Sequence, residues 1–357
     1  MKKIVTLLLT IVLLLSFVVV SIAEIKYDEY MLDYYSYQVP SGWIFLEEYP
    51  EDTDDENALY ITAHFAKEEE STSGGALMTI VSYANVNNTK DAGYDSVELN
   101  LAASGEFSME SSDADIRVIR AYADKIGLDL PCVCTSLYWQ YSLTSPDAER
   151  RKTAENILQR QIDIAEILGA QHILCIPGSV GVDLNLDSMF DDLFNLPQDT
   201  RNEVVDYKEA YDISCETLER MAHYARARNV IICVENVGNK YLLSPLEMAR
   251  FIDEIGSKWV RAYFDVGNVF RIGYPEHWIN ALGNRIAMVH LKDWSKRHAS
   301  FVKLGDGDTD FTSLISVLRN VRYDGYLTVE YIGQGDYNRQ ELIYDTAKFL
   351  EKIIEAR

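Results

Sequence analysis

The chain has 357 residues, of which 48% are apolar, enough for one large domain or a large and a small one. Its 33 basic and 56 acidic residues leave a net charge of -23. A surface that negative repels phosphate backbones, so nucleic acid is excluded as a default partner, and the apolar content excludes a disordered chain.

The first 23 residues read as a targeting segment. Lys2 and Lys3 precede an apolar stretch from Ile4 to Val20, and Ser21-Ile22-Ala23 offers small residues for cleavage before Glu24. The expectation is a signal peptide, with an uncleaved N-terminal anchor as the alternative and the only expected membrane contact. Export or membrane anchoring follows, or a cytoplasmic location if the segment is foreign to the protein. No cysteine follows the apolar run, so lipid attachment is not supported. The five cysteines (Cys132, Cys134, Cys175, Cys215 and Cys233) point the other way. Their number is odd and all but Cys215 fall in expected buried strands, as in proteins of a reducing compartment.

Residues 24–90 form a segment of different character. They carry three lysines against fourteen acids, and short aromatic runs such as Tyr34 to Val39 are broken by Pro40-Ser41-Gly42. Ala58 to Phe65 and Ala76 to Tyr83 read as further strands, giving a small acidic β-rich segment. The run from Glu47 to Glu56 reads as a solvated acidic loop rather than a calcium site.

From Asp91 onward strands alternate with helices. Strands are expected at Ser96–Leu101, Pro131–Tyr138, His172–Ile176, Val230–Glu235, Val260–Asp265, Ile286–Lys292 and Tyr326–Tyr331. Helices are expected at Ala114–Ile126, Asp147–Leu168, Asp206–Arg228, after Ser244-Pro245, and from Arg339 to Ile354. Alternation of this kind implies a parallel sheet, and in a closed barrel all strand C-termini meet on one face. Seven strands are readable where a (β/α)8 TIM barrel needs eight. The first strand and helix are therefore atypical or missing, and the barrel is assigned to residues 91–357.

Four of the apolar runs end in a side chain able to hold a metal: Glu235, Asp265, His290 and Glu330. A single carboxylate at a strand end is usually a surface residue. Three carboxylates and an imidazole delivered to one rim form a hard, oxygen-rich set suited to a divalent cation, Mn2+ first, then Mg2+ or Co2+. Such a cation polarises a carbonyl, and two flanking carboxylates, Glu235 and Glu330, then serve as acid and base. Around this set, Asn268, Arg297 and Trp139 are candidate substrate contacts. Lys296 is a further candidate for a phosphate or hydroxyl, and Lys292-Asp293 either orient the rim or form an ion pair. Tyr138 reads equally as a sugar-stacking wall or as packing. Gly305-Asp306-Gly307 is too common a turn to imply phosphate binding by itself.

These stretches also resemble a family. Gly93-Tyr94-Asp95-Ser96-Val97-Glu98-Leu99, Val234-Glu235-Asn236, Tyr263-Phe264-Asp265-Val266-Gly267-Asn268, Val289-His290-Leu291-Lys292-Asp293 and Tyr326-Leu327-Thr328-Val329-Glu330 are similar to the xylose isomerase-like TIM barrels. Within that group they most resemble sugar and sugar-phosphate isomerases and epimerases, the ketose 3-epimerases above all. The resemblance implies a metal held by Glu235, Asp265, His290 and Glu330, with Glu235 and Glu330 doubling as the acid/base pair. It covers about three-quarters of the chain and departs in two places. The family's first barrel strand and helix are not recognisable, and Asn268 stands where many free-ketose epimerases have histidine.

The resulting expectation is a metal-dependent isomerase or epimerase of a ketose or ketose phosphate, with C3 epimerisation favoured. Its partner would be a small-molecule sugar, and assembly into a homo-oligomer is left open. A keto-inositol dehydratase and a non-catalytic exported sugar-binding protein are the alternatives. The histidine-poor rim and the acidic surface argue against the nuclease chemistry found elsewhere in the superfamily.

Overall fold

A computed structural model describes residues 27–32, 35–40, 43–45, 65–67, 93–105, 107–181, 204–270, 272–330 and 339–355. The targeting segment, the acidic run 47–56 and the expected strand 76–83 lie outside the described residues, as does nearly all of the expected strand 58–65. Among the described residues no helix is long and apolar enough to cross a membrane.

Among the described residues of the N-terminal segment, four short strands form two antiparallel pairs. β1 (Tyr27–Leu32) pairs with β2 (Tyr35–Pro40), and β3 (Trp43–Phe45) pairs with β4 (Phe65–Lys67). The aromatic, β-branched composition of these runs suits a pleated strand, and Pro40 stands at the strand end where a missing N–H does no harm.

The remainder is built on one parallel sheet. Its strands are β5 (Leu99–Asn100), β6 (Cys132–Cys134), β7 (His172–Cys175), β8 (Ile231–Glu235), β9 (Val260–Asp265), β10 (Ile286–Leu291) and, near the C-terminus, Leu327–Val329. They lie side by side in chain order, so every crossover joins neighbours. Among the described residues the connecting helices are α1 (Asp113–Ile126), α2 (Ala148–Leu168), α3 (Tyr207–Ala227), α4 (Pro245–Ile255), α5 (Pro275–Leu282) and α6 (Phe311–Asn320). The chain closes on α7 (Arg339–Glu355). After β10 a small antiparallel hairpin intervenes, β11 (Asp293–Ser295) with β12 (Ser300–Val302), so Leu327–Val329 is β13.

Local chemistry explains most of the helix ends. Ser112 and Asp115 form a reciprocal capping box at α1, Asp147 and Asp206 cap α2 and α3, and Ser244 caps α4 with Pro245 in its first turn. Gly127, Gly169 and Gly256 end α1, α2 and α4 in the left-handed conformation that glycine adopts without strain. Between helices and sheet lies one apolar core that includes Leu158, Ile173, Val234, Phe264, Trp278 and Met288. All five cysteines are free, and Cys132, Cys175 and Cys233 are buried among these side chains.

The sheet curls. Glu98, just before β5, reaches the side chains of Tyr263 on β9 and His290 on β10, and Tyr326 beside β13 donates to Asp129 near the opposite end of the strand order. Contacts across the interior between first and later strands are what a barrel wall produces and a flat sheet does not.

Candidate metal and active centre

Strand register sets the site. Asp265 ends β9 and is the lateral partner of His290 on β10, and His290 is in turn opposite Thr328 on β13. Glu235 ends β8 opposite Tyr263, and Glu330 follows β13 with its N–H bonded to Leu291 O. The register steps by two residues from Glu235 to Asp265 and by two from Thr328 to Glu330, so the ends of four adjacent parallel strands are staggered while these polar side chains keep to one face and converge. One ligand atom from each of Glu235, Asp265, His290 and Glu330 lies within 4.8 Å of all the others. Glu235, Asp265 and His290 are buried. Glu330 keeps 32% of its side chain accessible, but its inward oxygen Oε2 is itself buried.

His290 is the hub. Its Nδ1 is 2.9 Å from Glu330 Oε2, 3.4 Å from Glu235 Oε1 and 3.7 Å from Asp265 Oδ2. On the other side of the ring, Nε2 is 3.1 Å from Glu98 Oε1, and Glu98 Oε2 accepts from the Tyr263 hydroxyl at 2.7 Å. A carboxylate behind a ligating imidazole fixes its tautomer and orientation. Asp265 is held differently. Its N–H donates to Asn236 Oδ1, Asn236 Nδ2 donates back to Asp265 O, and Asp265 Oδ1 accepts from the Asn268 N–H. Those bonds occupy one oxygen and aim the other, Oδ2, into the cluster. Lys292 completes the group, with Nζ 2.9 Å from both Asp265 Oδ2 and Glu330 Oε2.

Electrostatics separates the carboxyls. Burial pushes Glu235 up to about 7, with Glu330 and Asp265 adding repulsion against the pull of His290 and Lys292. Burial likewise raises Asp265 from its ordinary value. Burial alone would raise Glu330 too, but the charges of Lys292 and His290 beside it win and hold it below the usual range. Burial works against the charged form of Lys292, yet the surrounding carboxylates keep its ammonium well above its ordinary value.

The donor set fits a divalent cation. Asp265 Oδ2 and Glu330 Oε2 are buried oxygens that accept no hydrogen bond of acceptable geometry, although they sit near cationic nitrogens. Buried polar atoms are rarely left so, and two carboxylate oxygens pointing at one point beside an imidazole nitrogen are natural ligands for a hard ion.

The remaining residues singled out from sequence are not among the four converging ligands. Asn268 spends its amide nitrogen on Asn236 O, which ties the turn after β9 to the turn after β8. Arg297 and Lys296 are exposed at the tip of the β11–β12 hairpin. Trp139 lies in a 3-10 turn after β6, packed partly against the core, and Tyr138 beside it is buried with its hydroxyl donating to Gln161. The Gly305–Gly307 turn is wrapped around a carboxylate of the chain itself: Asp293 Oδ2 accepts from the N–H groups of Gly305 and Gly307, and Oδ1 from Trp294 and Thr309. A Cβ on residue 307 would lie 2.2 Å from Asp293 Oδ1, so glycine there answers a close approach. Sequence reasoning passed over Glu98. Its one signal was its place in the Gly93–Leu99 stretch; its partners lie on strands more than 160 residues away.

The comparisons with known proteins agree with this architecture. Residues 86–353 match the family described as xylose isomerase-like TIM barrel. A putative L-ribulose-5-phosphate 3-epimerase of Escherichia coli K12 is 25% identical over 250 residues, covering 68% of this chain and 80% of that protein. A 2-epi-5-epi-valiolone 7-phosphate 2-epimerase from an Actinoplanes species is 24% identical over 230 residues, 64% of this chain and 73% of that one. Among solved structures, D-psicose 3-epimerase from Clostridium cellulolyticum H10 superposes with a TM-score of 0.61 at 16% identity, covering 77% of this chain and 94% of that one. An L-ribulose 3-epimerase superposes with a TM-score of 0.60 at 18% identity, covering 76% and 88%. At such identities the superpositions speak for the fold, and the family match spans three-quarters of the sequence. By fold and by family, the chain belongs to the xylose isomerase-like TIM barrels.

Proposed function

We propose that this protein is a divalent-cation-dependent epimerase of a ketose or ketose phosphate, acting at C3. The observation that carries the reading is the convergence of Glu235, Asp265, His290 and Glu330 within 4.8 Å at the ends of four adjacent strands. The sugar epimerases among its relatives support the substrate class. Residues 1–23 would be the leader or anchor, 24–90 a separate acidic segment and 91–357 the catalytic barrel.

Glu235, Asp265, His290 and Glu330 would hold the cation, which when bound would supply Lewis acidity at the C2 carbonyl, Mn2+ being the ion best matched to one imidazole and three carboxylates. The protein's own groups move the proton. Glu330, held ionised beside Lys292 and His290, accepts the C3 proton on its carboxylate. The C–H electron pair then passes toward the carbonyl as an enediolate. Glu235, the carboxyl of higher proton affinity in the metal-free site, is the group assigned to return a proton to the opposite face of C3. Two carboxyls whose environments push their proton affinities apart, with two strands lying between theirs in the sheet, make a workable base and acid for inversion. The reverse epimerisation exchanges the two roles. The hairpin carrying Lys296 and Arg297 offers cationic hydrogen-bond donors to a phosphate or terminal hydroxyl, and Trp139 an apolar surface for the sugar.

Solvent deuterium exchange tests the proposal. Candidate ketoses and their phosphates, incubated in heavy water with the Mn2+-loaded protein, are expected to incorporate deuterium at C3, and Glu330→Gln to slow that incorporation by about 100-fold or more. Tight sugar binding with no exchange in any of them would replace the epimerase with a binding protein.

A further inference from the structure

Lys292 is an unusual side chain to find in this place. It follows β10, two residues after His290, and is only 4% exposed. Its Nζ is equidistant, at 2.9 Å, from Asp265 Oδ2 and Glu330 Oε2. These are the two buried oxygens without a hydrogen bond of acceptable geometry, and they are the ones a divalent cation would take. The side chain cannot easily swing away. Phe301 of the hairpin covers it, with Nζ 5.5 Å from the ring centroid. Beneath its stem lies Gly267, where a Cβ would be 2.4 Å from Lys292 Cβ and 3.0 Å from Phe301 Cε1. Gly267 does not have the positive φ that favours glycine, so its missing side chain answers to space. The Asp265-Val266-Gly267-Asn268 turn is shaped to admit the lysine.

Charge gives this arrangement a purpose. Glu98, Glu235, Asp265 and Glu330 bring four carboxyls to one buried cluster, faced among the described residues by two basic groups, His290 and Lys292. Buried carboxylates this close repel unless a positive charge lies between them.

We propose that Lys292 is a resident counter-ion of the metal centre. Its ammonium holds Asp265 and Glu330 in place while the divalent cation is away, and it shares their oxygens when the cation arrives. The fixed charge therefore keeps the empty site assembled and weakens the grip on the metal, making the cation exchangeable. This inference rests on the metal reading proposed above.

The test uses the full chain, stripped with a chelator, as wild type and as Lys292→Met, which keeps the apolar stem and removes the charge. Two quantities are measured: the thermal midpoint in chelator, and the Mn2+ dissociation constant by titration calorimetry. The variant is expected to melt several degrees lower without metal and to bind Mn2+ about tenfold more tightly or better, since one positive charge beside the ion is gone. Mn2+ would then raise its midpoint more than it raises that of the wild type. Unchanged or weaker Mn2+ binding in the variant, with wild-type binding intact, overturns the counter-ion role alone. Wild type that takes up no Mn2+ overturns the metal centre itself. If Lys292→Met does not survive stripping, Lys292→Gln is prepared loaded with Mn2+ and titrated with a competing chelator. The same tighter retention is expected, and release at the wild-type concentration of competitor refutes the role.

Discussion

Glu98→Gln is the sharpest probe of how this centre is held together. Glu98 lies behind His290 rather than among the four converging ligands. Its side chain is 7% exposed, with Oε1 3.1 Å from His290 Nε2 and Oε2 accepting from Tyr263. The Tyr263 ring packs against the imidazole, centroid to centroid 4.2 Å, so the ring plane is set by both residues. For Nδ1 to present a lone pair to the cluster, Nε2 must carry the proton, and a carboxylate acceptor enforces that. A glutamine keeps the shape and loses the charge, and its amide nitrogen competes to donate to Nε2, which favours the wrong tautomer. Loss of such a supporting carboxylate costs about 10- to 100-fold in metal affinity, or about 1.4 to 2.7 kcal/mol. Tyr263→Phe leaves the carboxylate in place and removes one donor to it, so its cost is smaller, about 1 kcal/mol. The assay is Mn2+ titration calorimetry on chelator-stripped protein, with circular dichroism to show that each variant is folded. A Glu98→Gln protein that binds Mn2+ as tightly as wild type would refute the argument that this carboxylate orients the imidazole.

Glu330→Gln should lower C3 exchange by about 100- to 10,000-fold, the usual worth of a general base, while the variant remains folded by circular dichroism. Because Glu235 is raised to about 7, it binds a proton on folding that it would not hold when unfolded. The stability this contributes is full below the ordinary carboxyl value and is lost as pH rises through about 7. Thermal melts of the metal-free protein, taken from about pH 5 to about pH 8, should therefore fall more steeply for wild type than for Glu235→Gln. Equal slopes would refute the shift. Gly267→Ala places a methyl 2.4 Å from Lys292 Cβ and should lower stability in denaturant titration, by about 1 to 3 kcal/mol for overpacking of this kind. Asp293→Ala leaves the N–H groups of Gly305, Gly307 and Thr309 without their acceptor. A loss of about 3 kcal/mol is expected from such unpaired donors, read by denaturant titration.

Much of the barrel was legible from the sequence because its signals are local. Ser112, Asp147, Asp206 and Ser244 start helices and Gly127, Gly169 and Gly256 stop them through bonds that reach no further than one turn. The strand Val260–Asp265 is expected at its observed limits, and Glu235, Asp265, His290 and Glu330 are each legible as a polar side chain closing an apolar run. Strand lengths were less legible. Pro131–Tyr138 was expected as one strand, whereas Cys132–Cys134 alone pairs, and the chain then turns through Leu137–Trp139. An apolar run shows that a segment is buried, not where its neighbours stop bonding to it.

What the sequence by itself determined was the alternation of elements and hence a parallel sheet with its polar side chains gathered at one end. Only the tertiary structure decided what stands behind and between those side chains. Glu98 meets His290 because the sheet curls, Lys292 turns inwards because Gly267 leaves room for it, and Asp293 takes the Gly305–Gly307 turn for its own carboxylate. Each of these depends on the sum of small twists between neighbouring strands, a quantity spread over the whole sheet and written in no single stretch of residues.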